Sequence, residues 1–220
     1  MTRPPTPRRE TAVPPDPMTL PALQEYVRRI VAERGFTADL NEIFILLVEE
    51  VGELATEFKH RAYYPERFSQ RNCSHELADV LLYLLDLANG FNLDLMSVWH
   101  RHERANDERF AERRGGKPPQ ALLRDGMTLA ELTAHAEAKR AERNFEDRDE
   151  MLMILLCEEV GEIATEIRKH WKGRADPERM GLEIVDALTY LLRLARGLAV
   201  DLEAAVREKE AENAGRVWTY

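Results

Sequence analysis

The chain repeats itself. Shifted by 109 residues, Thr19-Leu20 falls on Thr128-Leu129, Ala32-Glu33-Arg34 on Ala141-Glu142-Arg143, and Phe36 on Phe145. The segment ILLVEEVGELATE, 45–57, falls on ILLCEEVGEIATE, 154–166, with two differences in thirteen positions. Beyond it the shift becomes 107, and Glu76, Asp79, Tyr83, Asn106 and Arg109 fall on Glu183, Asp186, Tyr190, Asn213 and Arg216. A period this long means two copies of one folding unit, each covering the apolar face that the other exposes. The loop between the acidic motifs is two residues longer in the first copy.

Each copy reads as four helices. The first starts at Thr19 or Thr128, residues suited to an N-cap. The second runs over about 40–60 and 149–170, and the third over about 74–89 and 177–196, with Asp176 before Pro177 as cap and first turn. Gly90 and Gly197 read as helix stops, and the fourth helix starts near Asp94 or Asp201. No stretch alternates apolar and polar residues as a half-buried strand does. Leu81, Leu82, Leu84, Leu85 and Leu87 crowd around Tyr83 on helix three, so that helix is apolar on more than one face and must be buried. The expected fold is all-α: two tandem four-helix modules forming an intramolecular pseudo-dimer, with helices two and three at the contact and a further pairing of chains into a homodimer open. The expected boundaries are a disordered proline-rich tail over 1–17, a first repeat over 18–112, a linker over 113–126 and a second repeat over 127–220.

Composition narrows the function. The net charge of −9 argues against a nucleic-acid partner, which calls for a basic surface. No apolar run reaches the roughly 18–20 residues that span a bilayer, and the basic N-terminus has no apolar stretch behind it to make a signal peptide. Cys73 and Cys157 form neither a CxxC pair nor a zinc spacing. Cys157 reads as a small core residue. A reducing cytoplasm is expected.

The chemical signal is acid inside apolar helices. Helix two carries Glu49, Glu50 and Glu53, and helix three carries Glu76 and Asp79; the second copy repeats them as Glu158, Glu159, Glu162, Glu183 and Asp186. Spacings of three and four put these groups on one side of each helix. Glutamates on a helix ordinarily form a solvated face, but here the same pattern recurs while Gln24/Thr133 and Tyr26/His135 diverge. Burying such charges is costly unless they are compensated. A hard divalent cation compensates them, and Mg²⁺ takes a few carboxylates together with waters and phosphates.

EEVGE at 49–53 with ELAD at 76–79, and EEVGE at 158–162 with EIVD at 183–186, resemble the ExxE…ExxD signature of the MazG-like superfamily of nucleoside triphosphate pyrophosphohydrolases. The resemblance covers about residues 19–112 and 128–218. It implies Mg²⁺, with Mn²⁺ as a substitute, held by Glu50, Glu53, Glu76 and Asp79 in one half and by Glu159, Glu162, Glu183 and Asp186 in the other. It also implies a Lys-x3-Asn-x2-Arg element on helix four that faces the triphosphate. The second copy has it as Lys209, Asn213 and Arg216; the first has His102, Asn106 and Arg109, with a histidine that is mostly neutral at pH 7. Trp171 is similar to a tryptophan that lines the base pocket of some relatives; a plug at a helix end is the equal alternative. The activity implied is hydrolysis of a ribo- or deoxyribonucleoside triphosphate to monophosphate and pyrophosphate, a nucleotide-pool house-cleaning reaction, with Glu49 and Glu158 as candidate proton acceptors. The alternative is a non-catalytic nucleotide- and metal-binding regulatory module of the same fold. If each helix four serves its own half, the second site is the complete one; if helix four crosses to the other half, the assignment inverts.

Overall fold

A computed structural model describes residues 12–146 and 148–214. Eight α-helices run through the described residues: α1 (Leu20–Arg34), α2 (Leu40–Tyr63), α3 (Gln70–Gly90), α4 (Leu95–Arg109), α5 (Leu129–Glu142), α6 (Asp149–Trp171), α7 (Pro177–Gly197) and α8 (Leu202–Asn213). Two short 3-10 turns, Pro65–Arg67 and Glu112–Arg114, lie between them. No strand occurs among the described residues, and the fold is all-helical as the sequence indicates.

Most helix starts follow from one side chain each. Thr19 accepts from the Ala22 amide, Asp39 from Asn41, and Thr128 forms a reciprocal box with Glu131. Asp94, Asp176 and Asp201 cap α4, α7 and α8. These contacts satisfy amides that have no intrahelical partner. α3 begins four residues earlier than the sequence reading, because the Ser69 hydroxyl accepts from the Asn72 amide at 3.1 Å and captures an extra turn. The left-handed stops after α3 and α7 are Asn92 and Ala199, with φ of 54° at each, not Gly90 and Gly197. Glycine is required at those two positions for a different reason: a Cβ there would collide with Leu40 or Asp149, from the start of the preceding helix.

Equivalent helices of the two halves meet. α3 packs on α7 and α2 on α6, while Thr19 and Thr128 form an isolated antiparallel bridge. Contact between equivalent positions is the pattern of a two-fold arrangement, and it is compatible with the pseudo-dimer that the repeat suggests. Leu77, Leu81, Leu84 and Leu85 of α3 have no exposure at all, nor do Ile184, Val185 and Leu191 of α7, which accounts for the apolar surround of helix three.

Helix four crosses over. α4 packs on α7, and α8 packs on α3. α8 is anchored to the first half by buried Glu210, which accepts from the Tyr26 hydroxyl and from both Arg34 guanidinium nitrogens, at 2.6 and 3.2 Å. The mirror contact joins Glu103 of α4 to His135 at 2.7 Å and to Lys139 at 3.5 Å. Removing one member of a buried ion pair strands the other. Glu210→Ala is therefore expected to lower stability by about 3–5 kcal/mol, read from the urea midpoint; a loss below about 1 kcal/mol would show that this pair does not hold α8.

Two expectations change. The run expected to be disordered to residue 17 is held from Ala12 onward: the Ala12 amide donates to Glu33 at 3.1 Å, and Arg207 donates to the carbonyls of Pro14 and Pro15. Residues 1–11 lie outside the described residues. Cys157 is exposed rather than in the core, whereas Cys73 is buried; the apolar run of α6 turns its Leu152, Leu156 and Val160 inward and leaves Cys157 on the outer side. No helix among the described residues is long and apolar enough to cross a membrane.

Candidate functional site

α2 and α3 lie against each other, and so do α6 and α7. The first contact brings Glu50, Glu76 and Asp79 together, and the second Glu159, Glu183 and Asp186; in each set the carboxylate oxygens lie within 4.8 Å of one another. Glu53 and Glu162 stand one turn further along, exposed at the edges of the sets. Glu49 and Glu158 are exposed and belong to neither converging set.

Close acids raise each other's proton affinity. Glu50 is pushed up to about 8, first by burial and then by the charges of Asp79 and Glu76. Glu159 is pushed up to about 8 by burial and then by Asp186 and Glu183. Glu76, Asp79 and Glu183 are also raised, each chiefly by burial. Two helices presenting oxygen donors that repel each other form a half-shell suited to a hard divalent cation. The residues present thus fit Mg²⁺.

The crossing of helix four decides which groups face which acids. Lys209 of α8 forms an ion pair with Asp79, and buried Asn213 follows one turn later, donating to Glu210 at 3.3 Å. The Asn213 carbonyl oxygen has no hydrogen-bond partner among the described residues. His102 of α4 faces Asp186, with Nε2 at 2.8 Å from the carboxylate and 2.9 Å from the Asn106 amide. The complete Lys–Asn arrangement thus serves the acids of the first half, and the histidine serves those of the second. The reading in which each half completes its own site is corrected. Its physical basis is that α4 and α8 dock on the helix three of the opposite half.

Other expected residues stand apart. Arg109 is exposed and lies over the Phe110 ring, 5.2 Å from its centroid. Arg216 lies outside the described residues. Trp171 is 79% exposed at the end of α6 and is not among the residues that line the cavity beside Asp79 and Lys209.

Instead, a cavity of about 690 Å³ opens beside Asp79 and Lys209, walled by Val27, Ile30, Phe36 and Leu46, with Asp86 in its lining. Asp86 was missed in the sequence, although its signal is of the same kind: an acid among the leucines of helix three. His75, Glu208 and Glu212 also converge between α3 and α8, but Arg71 donates to both glutamates and supplies the charge there.

Over 91 residues, 41% of this chain and 78% of the other protein, the sequence is 37% identical to the dATP/dGTP diphosphohydrolase of Cyanophage S-2L. No family model matches the chain, and no solved structure matches it. The matched length is close to that of one repeat. With its paired acidic motifs on packed helices and this relative, the chain belongs to the MazG-like superfamily.

Proposed function

We propose that the chain hydrolyses the bond between the α- and β-phosphates of a nucleoside triphosphate, releasing monophosphate and pyrophosphate, and that it requires Mg²⁺. The observation that carries this reading is the convergence of Glu50, Glu76 and Asp79 with Lys209 at the edge of the 690 Å³ cavity. An acidic site next to a nucleotide-sized cavity has no use for its charges unless a cation stands between them and phosphate. The name of the cyanophage relative, a dATP/dGTP diphosphohydrolase, supports the reaction class and points to purine nucleotides.

Glu50, Glu53, Glu76 and Asp79 would hold the ion. Once bound, Mg²⁺ supplies Lewis-acid neutralisation of phosphate charge. Lys209 places a positive charge where the pyrophosphate departs, a contribution that is strongest in a site shielded from water. Asn213 keeps α8 in register through Glu210. Glu49, one turn before Glu53 on the same face and outside the converging set, is the candidate acceptor for the proton of the attacking water. A place in cytoplasmic nucleotide-pool maintenance, with Mn²⁺ able to replace Mg²⁺, fits this chemistry.

The test is pyrophosphate release from the common ribo- and deoxyribonucleoside triphosphates, with Mg²⁺ and with a chelator. One pyrophosphate per monophosphate is expected, and only with the metal. Absence of pyrophosphate from every triphosphate in the presence of Mg²⁺ would leave the non-catalytic nucleotide- and metal-binding reading in its place.

A further inference from the structure

We propose that Asp86 reads the nucleobase, and that the base it takes is guanine. This rests on the first site being a nucleotide site. One helix carries both chemistries. Asp86 follows Asp79 by seven residues on α3, which is about 10.5 Å along the axis and within about 20° of two full turns. The two carboxylates therefore sit on one face, and both line the same cavity. A nucleoside whose α-phosphate is held near Asp79 reaches about that far to the outer edge of its base.

The cavity between them suits a flat aromatic ring. Val27, Ile30, Phe36 and Leu46 give apolar walls, and a volume of about 690 Å³ falls within the usual range for small-molecule sites. Against those walls Asp86 is out of place. Among the described residues it has no hydrogen bond and no ion pair, and burial alone pushes it up to about 6. A carboxylate in apolar surroundings is costly without a partner. None of the described residues supplies one, so we assign the partner to the ligand.

The chemistry of the carboxylate selects that partner. An ionised carboxylate only accepts, through two oxygens side by side. Guanine presents a ring N–H and an amino group next to each other on one edge, both donors, and so meets both oxygens at once. Adenine and cytosine place an acceptor beside the amino group, and that acceptor would face a carboxylate oxygen. Uracil and thymine offer one N–H flanked by two carbonyls. Only guanine among the common bases pairs with an ionised Asp86 without a repulsive contact. The second half carries Arg193 at the equivalent position, and Lys139 at that of Ile30, both buried, so this reading belongs to the first site alone.

The experiment measures binding by calorimetry to the full chain with Mg²⁺, using α,β-methylene triphosphates of guanosine, inosine and adenosine. Inosine keeps the ring N–H and lacks the amino group. A hydrogen bond to a charged group is worth roughly ten- to a hundred-fold, so the guanosine analogue is expected to bind at least ten-fold tighter than the other two. In Asp86→Asn the guanosine advantage over inosine is expected to collapse to within about three-fold, with inosine affinity little changed. Asp86→Leu repeats the test and checks that the variants fold, since removing a half-buried charge with no partner among the described residues is expected to leave melting no lower than in wild type. Equal binding of all three analogues to wild type, tighter binding of adenosine, or a guanosine advantage that survives both variants would overturn the role of Asp86 while leaving the nucleotide reading intact. Failure of every analogue to bind wild type would overturn both.

Discussion

Asp79→Asn is expected to lose at least a hundred-fold in turnover, while Asp186→Asn keeps most of it. A metal centre contributes several kcal/mol of charge stabilisation, so loss of a ligand in the working site is severe. The first acids face Lys209 and the open cavity. The second acids are partly compensated from within the protein: Arg179 donates to Glu183 at 2.5 Å and to Glu162 at 3.3 Å. In the first half Asn72 stands where Arg179 does, and it reaches Glu57 instead.

The region that forms the cavity beside the first acids is also different beside the second. Val27, Ile30 and Asp86 are replaced at equivalent positions by Ala136, Lys139 and Arg193. Lys139 is buried and reaches Asp107 at 2.9 Å, and Arg143 reaches the same carboxylate at 3.1 Å. An ion pair thus stands at one position of the equivalent wall. The second acid set keeps its carboxylates but lacks the lysine and the free carboxylate, and Lys139 interrupts its apolar wall. Measuring kcat/KM for Asp79→Asn and Asp186→Asn decides the matter. Equal losses would show two equivalent sites, and a larger loss in Asp186→Asn would return the activity to the second half.

Much of this was legible in the sequence for a physical reason. Periodicity and caps act locally, so Thr19, Asp94, Thr128, Asp176 and Asp201 marked helix starts that the structure has. The converging acids were legible because charge inside an apolar helix is costly wherever that helix packs. What the repeat could not reveal is which half each helix four contacts. A tandem pair and an intertwined pair have the same sequence pattern, and the choice is made by long-range contacts such as Glu210 with Arg34 and Tyr26. Trp171 was left with two equal readings for a related reason. A tryptophan at a helix end looks the same whether it borders a pocket or faces solvent, and here the cavity opens on α1 and α3 instead.

Metal-free protein is expected to melt at a higher temperature at pH 6 than at pH 8, and Mg²⁺ is expected to remove the difference. Glu50 and Glu159 carry folded-state values of about 8 against an ordinary 4.5. Between those values the native state holds protons that the unfolded chain has released. Stability linked to these groups is therefore present at low pH and lost as pH rises through about 8. Both groups are partly open to water and Lys209 offsets part of the repulsion at Glu50, so the loss is on the order of 1–2 kcal/mol per site after screening, a shift of a few degrees in Tm. A bound cation favours the ionised acids and reverses the sign of the effect, so added Mg²⁺ should stabilise most at pH 8. The double variant Glu50→Gln, Glu159→Gln isolates these groups from the histidines that titrate over the same range. It is expected to melt higher than wild type at pH 8 without metal, to show a flatter dependence on pH, and to gain little from Mg²⁺. A pH slope that is the same in wild type and in the double variant, or an Mg²⁺ response unaffected by the substitutions, would mean that these acids neither repel one another nor hold the ion.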